Sequence, residues 1–318
     1  MLTHLSLPNK VEFISKVLSS IIDREAVKDH YHTKMSTINL LTLAVIATVD
    51  YDSNYSKTID IFIDSKIFNF VLEKSQFSRR IKRIKELINK IVEIISQLSL
   101  DLIDKFILLT NYSKTYITDT FPIPIVKQNR ITSCRMVKNH LSKEKIISPK
   151  TNRLRKVIDE DYRGFCASKN MWYYGFKLSP IVNCFGLVHN YSICPARTYD
   201  PNCLLATNIN LPSNSILLAD SIYDSEAVIE SLNIGLNIKL TPVQKKSKKL
   251  RPTNDNADYQ DRVFIKYARR QVETNLSQID SFIPKHFKAV CLDTVILKIN
   301  LSILSYNFNK LYEIFMKV

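Results

Sequence analysis

The sequence predicts an α+β protein in which a helical first third is followed by a sheet with flanking helices. From Asn9 to about Leu108, apolar residues recur at three- and four-residue spacing and glycine is absent. After Asp104 the pattern changes to short runs rich in β-branched and aromatic residues. Helical spacing returns in a last amphipathic segment, Leu292 to Phe315. These three observations favour segregated helical and sheet regions.

A cationic segment lies within the helical first third. Residues 79–85 carry five cations in seven positions, and Ser75 and Ser78 are expected to cap the helix that contains them. Ile81, Ile84 and Ile88 are predicted to face the core. Such a helix suits contact with DNA phosphates or a major groove, and the alternative is a solvated surface helix. The cations expected on its exposed side are Arg79, Arg80, Lys82 and Arg83.

The middle of the chain predicts strands of one sheet with short helices between them. Residues 200–207 and 224–232 are predicted helices, and Arg262 to Ile279 resumes helical spacing after a lysine-rich loop, Gln244 to Asp261. Trp172 and the tyrosines after it are interpreted as sheet-packing aromatics, with base stacking as the alternative. The predicted strands are Tyr116–Thr118, Trp172–Leu178, Leu187–Ile193, Ser215–Ala219 and Leu236–Leu240.

The charge balance indicates a polyanionic partner. The formal net charge is +15 and the sequence pI is about 9.4, which favours nucleic acid. An AT-rich genome, which favours lysine codons, is the alternative source of this excess. No Walker A loop, G-x-G-x-x-G, G-x-S-x-G or H-E-x-x-H pattern occurs, so ATP-driven and zinc-hydrolase functions are excluded.

The sequence predicts neither a membrane segment nor export. The longest apolar stretch, Ile38 to Val49, has 12 residues, well short of the roughly 20 that span a bilayer. The first ten residues lack the pattern of a secretory signal, so we expect a cytoplasmic protein. The six cysteines form no C-x-x-C pair and are expected to be core residues.

Two aspartates end predicted strands in the same way. Asp119 follows Tyr116–Thr118, and Asp220 follows Ser215–Ala219. Neighbouring strands lie about 4.8 Å apart, so carboxylates at equivalent positions can share a hard cation. Glu273, on the helix after Arg262, has a side chain long enough to reach the same point. Oxygen ligands of this kind hold the paired divalent ions that act on phosphodiesters, although physics alone does not select these three from 30 acidic residues.

The order of several motifs resembles the insertion-sequence DDE transposases of bacteria. Residues 217–223 occupy the place of the family's G-D-[KR]-G-Y motif, and residues 269–278 are similar to its R-x-x-I-E-T-x-F-S-Q segment. Residues 76–80 resemble the F-[SN]-R-R element of its amino-terminal domain. The resemblance covers nearly the whole chain, and its other segments are Asp119–Pro124, Asn129–Ile131, Tyr162–Lys169 and Tyr174–Leu178.

The resemblance implies an RNase H-like mixed-sheet fold and a site. Residues 1–108 would be a helical DNA-end-binding region, and 109–318 a catalytic domain with a C-terminal helix. Asp119, Asp220 and Glu273 would be both the catalytic and the metal-binding triad, with Mg²⁺ as cofactor and Mn²⁺ as substitute. Double-stranded DNA and a homodimer or larger assembly are the implied partners, in a nucleoid-associated cytoplasmic protein. Further DNA contacts are implied for Lys177, Arg269 and Arg270; an exposed helix cation is the alternative for Arg270.

Two departures from the family pattern leave other functions open. Ser221-Ile222 replaces a basic residue and glycine, and Ser179-Pro180 stands where the family tends to have histidine and an aliphatic residue. The predicted activity is metal-dependent cleavage at the element's ends followed by strand transfer. The alternatives are a decayed transposase that only binds DNA and a nuclease that cuts without joining.

Overall fold

The computed structural model contains two compact units. It describes residues 1–24, 29, 33–104, 114–131, 133–134, 136–137, 142–147, 154–166, 170–243, 270–271, 273–289 and 291–316. One unit comprises Met1–Ile107, Ser277–Lys288 and Asp293–Val318, and the other comprises Leu108–Leu276 and Ala289–Leu292. We call them the helical unit and the sheet unit.

The first third of the chain forms five helices, as its apolar spacing predicts. They are α1 (Leu7–Arg24), α2 (Thr37–Tyr51), α3 (Tyr55–Ser65), α4 (Lys74–Arg83) and α5 (Lys85–Asp104). Every residue from Leu40 to Thr48 of α2 is buried, because a helix that is apolar all round is stable only inside a core. Ser36 Oγ caps α2 by accepting the Asn39 N–H. The expected serine caps of α4 are wrong, since it begins at Lys74 with Glu73 at its N-cap and Ser75 inside it.

The C-terminal helix, Leu292–Phe315, packs mostly within the helical unit. Its buried polar side chains bond to backbone groups of that unit: Lys298 Nζ donates to Ser53 O at 3.2 Å, and Asn307 Nδ2 donates to Val92 O at 3.2 Å. These two bonds join residues more than 200 positions apart in the sequence, and local apolar periodicity does not predict such contacts. A division at residue 108 into binding and catalytic regions therefore remains a prediction.

The sheet unit is built on a seven-stranded mixed sheet. β6 is antiparallel to β1, β2, β5 and β7, whereas β1, β8 and β9 are parallel neighbours in that order. β3 and β4 form a separate two-stranded sheet. The strands are β1 (Thr115–Thr118), β2 (Phe121–Lys127), β3 (Ser142–Ile147), β4 (Leu154–Ile158), β5 (Arg163–Cys166), β6 (Met171–Asn183), β7 (Val188–Pro195), β8 (Ile216–Asp220) and β9 (Lys239–Val243).

β1 and β2 both pair with the same side of β6, and the two pairings follow one continuous register. Tyr116 pairs with Asn183 and Pro124 with Gly175, so the ladder continues through the break at Asp119 and Thr120. The segment after Asp119 is thus a strand rather than only a proline-stiffened connection. Gly175 permits this pairing, because a Cβ there would lie 2.2 Å from Ile123 O.

Short helices flank the sheet, and the predicted α+β class is confirmed. They are α6 (Asp200–Leu205), α7 (Glu226–Leu236) and a helix with described helical residues 270–271 and 273–282, which we call the Glu273 helix. The predicted loop Gln244–Asp261 and the first residues of the predicted helix from Arg262 lie outside the described residues. Within the described part of the chain, no helix has both the length and the apolar character needed to cross a membrane.

Candidate active site

Asp119 and Asp220 lie at the ends of two neighbouring parallel strands. β1 pairs with β8 in parallel, with Ile117 beside Leu218. Continuing this register by two residues places Asp119 beside Asp220, at a strand spacing of about 4.8 Å. The strand ends meet at one edge of the sheet because parallel strands point their carboxyl ends the same way. The structure therefore brings together the two aspartates that the sequence selected.

Both aspartates adopt the same local conformation. Asp119 Oδ1 accepts the Thr120 N–H at 2.7 Å, and Asp220 Oδ1 accepts the Ser221 N–H at 2.7 Å. These bonds hold each half-buried carboxylate at its strand end. A carboxylate has about four lone-pair sites, so one accepted N–H leaves capacity for other donors or for a cation.

The Glu273 helix packs on the same side of the sheet as the two aspartates. Leu276 packs against Ile117 and Leu218, which lie two residues before Asp119 and Asp220. Side chains alternate along a strand, so residues two apart share one side. Glu273 precedes Leu276 by three residues and shares its face of the helix, and its side chain is exposed.

A turn glycine allows the Glu273 helix to approach the sheet. Gly186, between β6 and β7, has φ +87°, and an added Cβ would lie 2.8 Å from Oδ1 of the buried Asn275. A side chain at position 186 would therefore be strained and would also displace Asn275. Asn275 lies two residues after Glu273, so the close approach of Gly186 to Asn275 affects the position of the Glu273 carboxylate.

Convergence of Glu273 with the two aspartates remains a prediction. Among the described residues, no three His, Cys, Asp or Glu side chains lie close enough together to hold a metal ion. The donor set nevertheless fits a hard divalent cation, because all three candidates carry carboxylate oxygens. Asp119 and Asp220 are the two that share an edge.

The Ser179-Pro180 departure lies opposite the break between β1 and β2. In the shared register, Thr120 faces Ser179 and Asp119 faces Pro180. Proline has no N–H to donate, so the ladder loses a donor beside Asp119. The Ser179 hydroxyl is fully buried and has no hydrogen-bond partner within the described residues.

Tyr223 lies close to Asp119, a placement that sequence reasoning missed. It ends the 3-10 turn Ser221–Tyr223 directly after Asp220, and its side chain is fully buried. Burial raises the pKa of Tyr223 far above its usual value, and nearby Asp119 and Asp200 raise it further. The phenol therefore stays protonated beside the Asp119 carboxylate. Its place as the last residue of the second-aspartate motif was the available signal.

Lys177 bonds inside the sheet unit. Its Nζ lies 2.6 Å from Asp200 Oδ1 and 3.0 Å from Thr198 O, so two of its three donors have internal acceptors. Cys194 lies nearby, and the hydrogen bond from Cys203 and the Lys177 charge lower its pKa. A DNA contact for Lys177 remains a prediction that competes with these bonds.

The predicted DNA-binding cations of α4 differ in their surroundings. Arg79 and Arg83 are exposed and Lys82 is half-buried. Arg80 lies 2.9 Å from Asp29 and also donates to Met35 O. In the Glu273 helix, Arg270 is exposed, and Arg269 lies outside the described residues.

Comparison with known proteins identifies the family. The family described as "Transposase DDE domain" matches residues 124–308. This segment is more than half of the chain and includes Asp220 and Glu273, whereas Asp119 lies just before it. No curated protein and no solved structure matches the chain. The match over most of the sheet unit and into the C-terminal helix shows that the chain belongs to the transposase DDE domain family.

Proposed function

We propose that this chain is a DNA transposase in which Asp119, Asp220 and Glu273 hold divalent metal ions. It cuts DNA at the ends of its element and transfers the strand to target DNA. The observation that carries the proposal is the shared register of β1 and β8, which ends both strands at an aspartate on one sheet edge. The family match supports the reaction class that we propose for this edge, phosphodiester hydrolysis and transesterification.

The strand order supports an RNase H-like catalytic fold. β7, β6 and β1 are successive antiparallel neighbours, and β1, β8 and β9 are successive parallel neighbours. Asp119 then lies at the end of β1, the central strand of these five, and Asp220 lies at the end of its parallel neighbour β8. Buried strands on both sides limit their movement, because slippage of β1 or β8 by one residue would turn its apolar face to solvent.

The carboxylates suit Mg²⁺, with Mn²⁺ as substitute, because hard cations prefer oxygen ligands. When bound, such ions stabilise the attacking and leaving oxygens of a phosphodiester. The protein contributes orientation: the Thr120 and Ser221 N–H groups hold the two aspartates before any ligand arrives. Preorganised charge of this kind avoids reorganisation during the reaction.

DNA binding and assembly follow from the same proposal. The positive charge of the chain attracts phosphates, and Arg79 and Arg83 are the exposed members of the four α4 cations predicted to contact DNA. Two element ends must be joined in one event, so we propose a homodimer or larger assembly on DNA in the nucleoid region of the cytoplasm.

A cleavage and joining assay with Mg²⁺, on linear DNA carrying both ends of the encoding element, tests the proposal. The parent should cut at the ends and join the products to a target. Asp119→Asn and Glu273→Gln should still bind the ends but lose cleavage by orders of magnitude, because each keeps its shape and loses the ligand charge. Cutting without joining would replace the proposal with a nuclease. End binding without cutting by the parent would replace it with a DNA-binding protein.

A further inference from the structure

Two aromatic rings stand half-exposed on the β5–β6 hairpin. Phe165 and Trp172 are direct cross-strand partners, with ring centroids 5.2 Å apart and ring planes 51° apart. Each side chain is 47% exposed, whereas Tyr173 and Tyr174 are buried at 1%. The tyrosines therefore pack into the interior as the sheet-packing interpretation predicts, whereas Trp172 packs against Phe165 across the sheet and is half exposed. The two rings form one small exposed aromatic surface on this hairpin.

A cation stacks beside the indole. The Arg163 guanidinium carbon lies 5.1 Å from the Trp172 ring centroid, within cation–π range. Arg163 also forms an ion pair of 3.3 Å with the exposed Glu160. An exposed pair of this kind contributes little, so Arg163 can exchange Glu160 for a phosphate at small cost. The β5–β6 hairpin thus carries an aromatic surface and a positive charge side by side.

The back of the hairpin holds this surface in place. Gly164 and Cys166 alternate with Phe165 and lie buried, with Cys166 packed against Tyr173 and Ala196. A Cβ on Gly164 would lie 2.7 Å from the Tyr173 ring and 2.9 Å from Ala196 Cβ, so the close packing requires glycine. The two exposed rings are therefore presented before binding, and little ordering entropy is lost when a ligand arrives.

The size and chemistry of the patch fit a nucleobase better than a protein. Half of an aromatic side chain corresponds to roughly 100 Å² per ring, far below the ~800 Å² per partner of a stable protein interface. Among the described residues, Arg163 lies beside the Trp172 ring and Glu160 pairs with Arg163, so the surroundings of the patch include charge. A planar base offers a π face for the rings and a phosphate for the arginine.

We propose that Phe165, Trp172 and Arg163 form a stacking site for an unpaired DNA base. Bases inside a duplex already stack on their neighbours, so a free π face is offered by single-stranded or locally opened DNA. The inference rests on the proposed function, because it takes DNA as the substrate. It adds a site for unpaired bases, separate from the carboxylate edge.

The stacking site is distant from the reaction edge. Trp172 precedes Pro180, the residue opposite Asp119, by eight positions on β6. At about 3.3 Å per residue the separation is about 26 Å, which corresponds to roughly eight nucleotides at ~3.4 Å each. The site therefore holds DNA away from the reacting phosphodiester, and its loss should weaken binding rather than chemistry.

The fluorescence of Trp172, the one tryptophan of the chain, reports directly on this site. Adding a single-stranded oligothymidine should quench the emission, and a blunt, fully paired duplex of equal length should quench it less. Phe165→Ala should weaken oligothymidine binding by about 5- to 150-fold, the equivalent of about 1–3 kcal/mol per stacked base. Anisotropy of a labelled oligothymidine should show binding retained in Trp172→Phe and lost in Trp172→Ala.

Phe70→Ala is the matched control. Phe70 is another half-exposed phenylalanine, 37% exposed, with Lys34 Nζ 5.5 Å from its ring centroid, and it belongs to the helical unit. This variant should leave the quenching curve unchanged. Equal quenching by the blunt duplex, or an unchanged affinity in Phe165→Ala, would overturn the stacking site.

The triad variant separates this inference from the proposed function. Glu273→Gln should quench like the parent while it fails to cleave, because the stacking site needs no metal. Quenching by a parent that does not cut would leave the stacking site standing and remove the transposase proposal. Cleavage by a parent whose Trp172 emission is not quenched by oligothymidine would remove the stacking site and leave the transposase proposal standing.

Discussion

The sequence pointed to two candidate regions, the carboxylate edge and the cationic helix α4. The fold constrains the positions of their residues to different degrees. Asp119 and Asp220 occupy equivalent positions, because buried parallel strands have one register that keeps their apolar residues inside. The four α4 cations predicted to contact DNA have no such constraint. Arg79 and Arg83 face solvent, whereas Arg80 bonds to the protein. Pairing between buried strands determines which residues lie side by side. A half-exposed helix places no such constraint on its charged side chains.

Arg80 illustrates the difference in detail. Its guanidinium pairs with Asp29 at 2.9 Å, and Asp29 in turn accepts the Thr37 N–H at the start of α2 at 2.7 Å. A second donor reaches Met35 O. Arg80 thus ties α4 to the segment that precedes α2, and its charge serves the fold before any DNA is present.

The largest expected effect tests the carboxylate edge. Asp220→Asn should lower Mg²⁺-dependent cleavage by orders of magnitude, because the amide still accepts the Ser221 N–H but supplies no ligand charge. Asp224→Asn, which removes an exposed carboxylate four residues later, is the control and should cut normally. Rates are measured on the same labelled end DNA. Equal rates for Asp220→Asn and the parent would remove Asp220 from the site.

A glycine pair tests the support of the Glu273 helix. Gly186→Ala should lower the free energy of unfolding by about 1–3 kcal/mol, because it combines positive φ with a clash against Asn275. Gly235→Ala meets no atom within 4 Å and lies in α7, so it should raise stability by about 0.5–1 kcal/mol. Denaturant melts of both variants measure this. Similar melts would mean that the Gly186 turn is not tightly held.

The contrast within α4 predicts unequal stability effects. Arg80→Ala should cost about 1–3 kcal/mol of folding free energy, because it removes charge-assisted bonds to Asp29 and Met35. Arg79→Ala should stay within about 0.5 kcal/mol, as expected for an exposed position. Thermal melts at equal protein concentration measure both. A larger loss in Arg79→Ala would reverse the assignment of structural and exposed cations.

The smallest effect concerns the salt dependence of DNA binding. Log affinity should fall linearly with log salt concentration, at a slope of about 0.9 per neutralised phosphate. If Arg79 and Arg83 each contact one phosphate, the double Arg79→Ala, Arg83→Ala variant should lower this slope by about 1.8. Titrations between low and physiological salt give the slopes. An unchanged slope would make the exposed side of α4 a solvated surface.

Prolines limited the prediction of two strands. β1, β7 and β8 were predicted near their observed bounds, whereas the predicted β6 ended at Leu178, before Pro180, and the observed strand continues to Asn183. β2 was missed because Pro122 and Pro124 argue against a strand. It tolerates them because β6 is its one described strand partner and it ends the sheet path, where proline N–H groups are not needed on the outer side.

The candidate site was predictable as far as its two strand-end aspartates. Their neighbourhood was not: the buried Tyr223 phenol beside Asp119 and the bond between Lys177 and Asp200 join residues 20 or more positions apart. No local pattern specifies such pairs, because their geometry depends on how β6, α6 and the turn after β8 pack together. The placement of the Glu273 carboxylate is the part of the site that stays a prediction.

By itself the sequence determined the division into helical and sheet regions, the apolar faces and the aspartates at which β1 and β8 end. Periodicity of two or 3.6 residues carries this information, because it reflects which face is buried. The tertiary structure alone decided that Asp119 meets Asp220, that the C-terminal helix joins the helical unit, and that Trp172 faces solvent. A periodic pattern predicts that one face of an element is buried, but it does not identify the element that buries it. That partner is determined by the packing of segments that are distant in sequence.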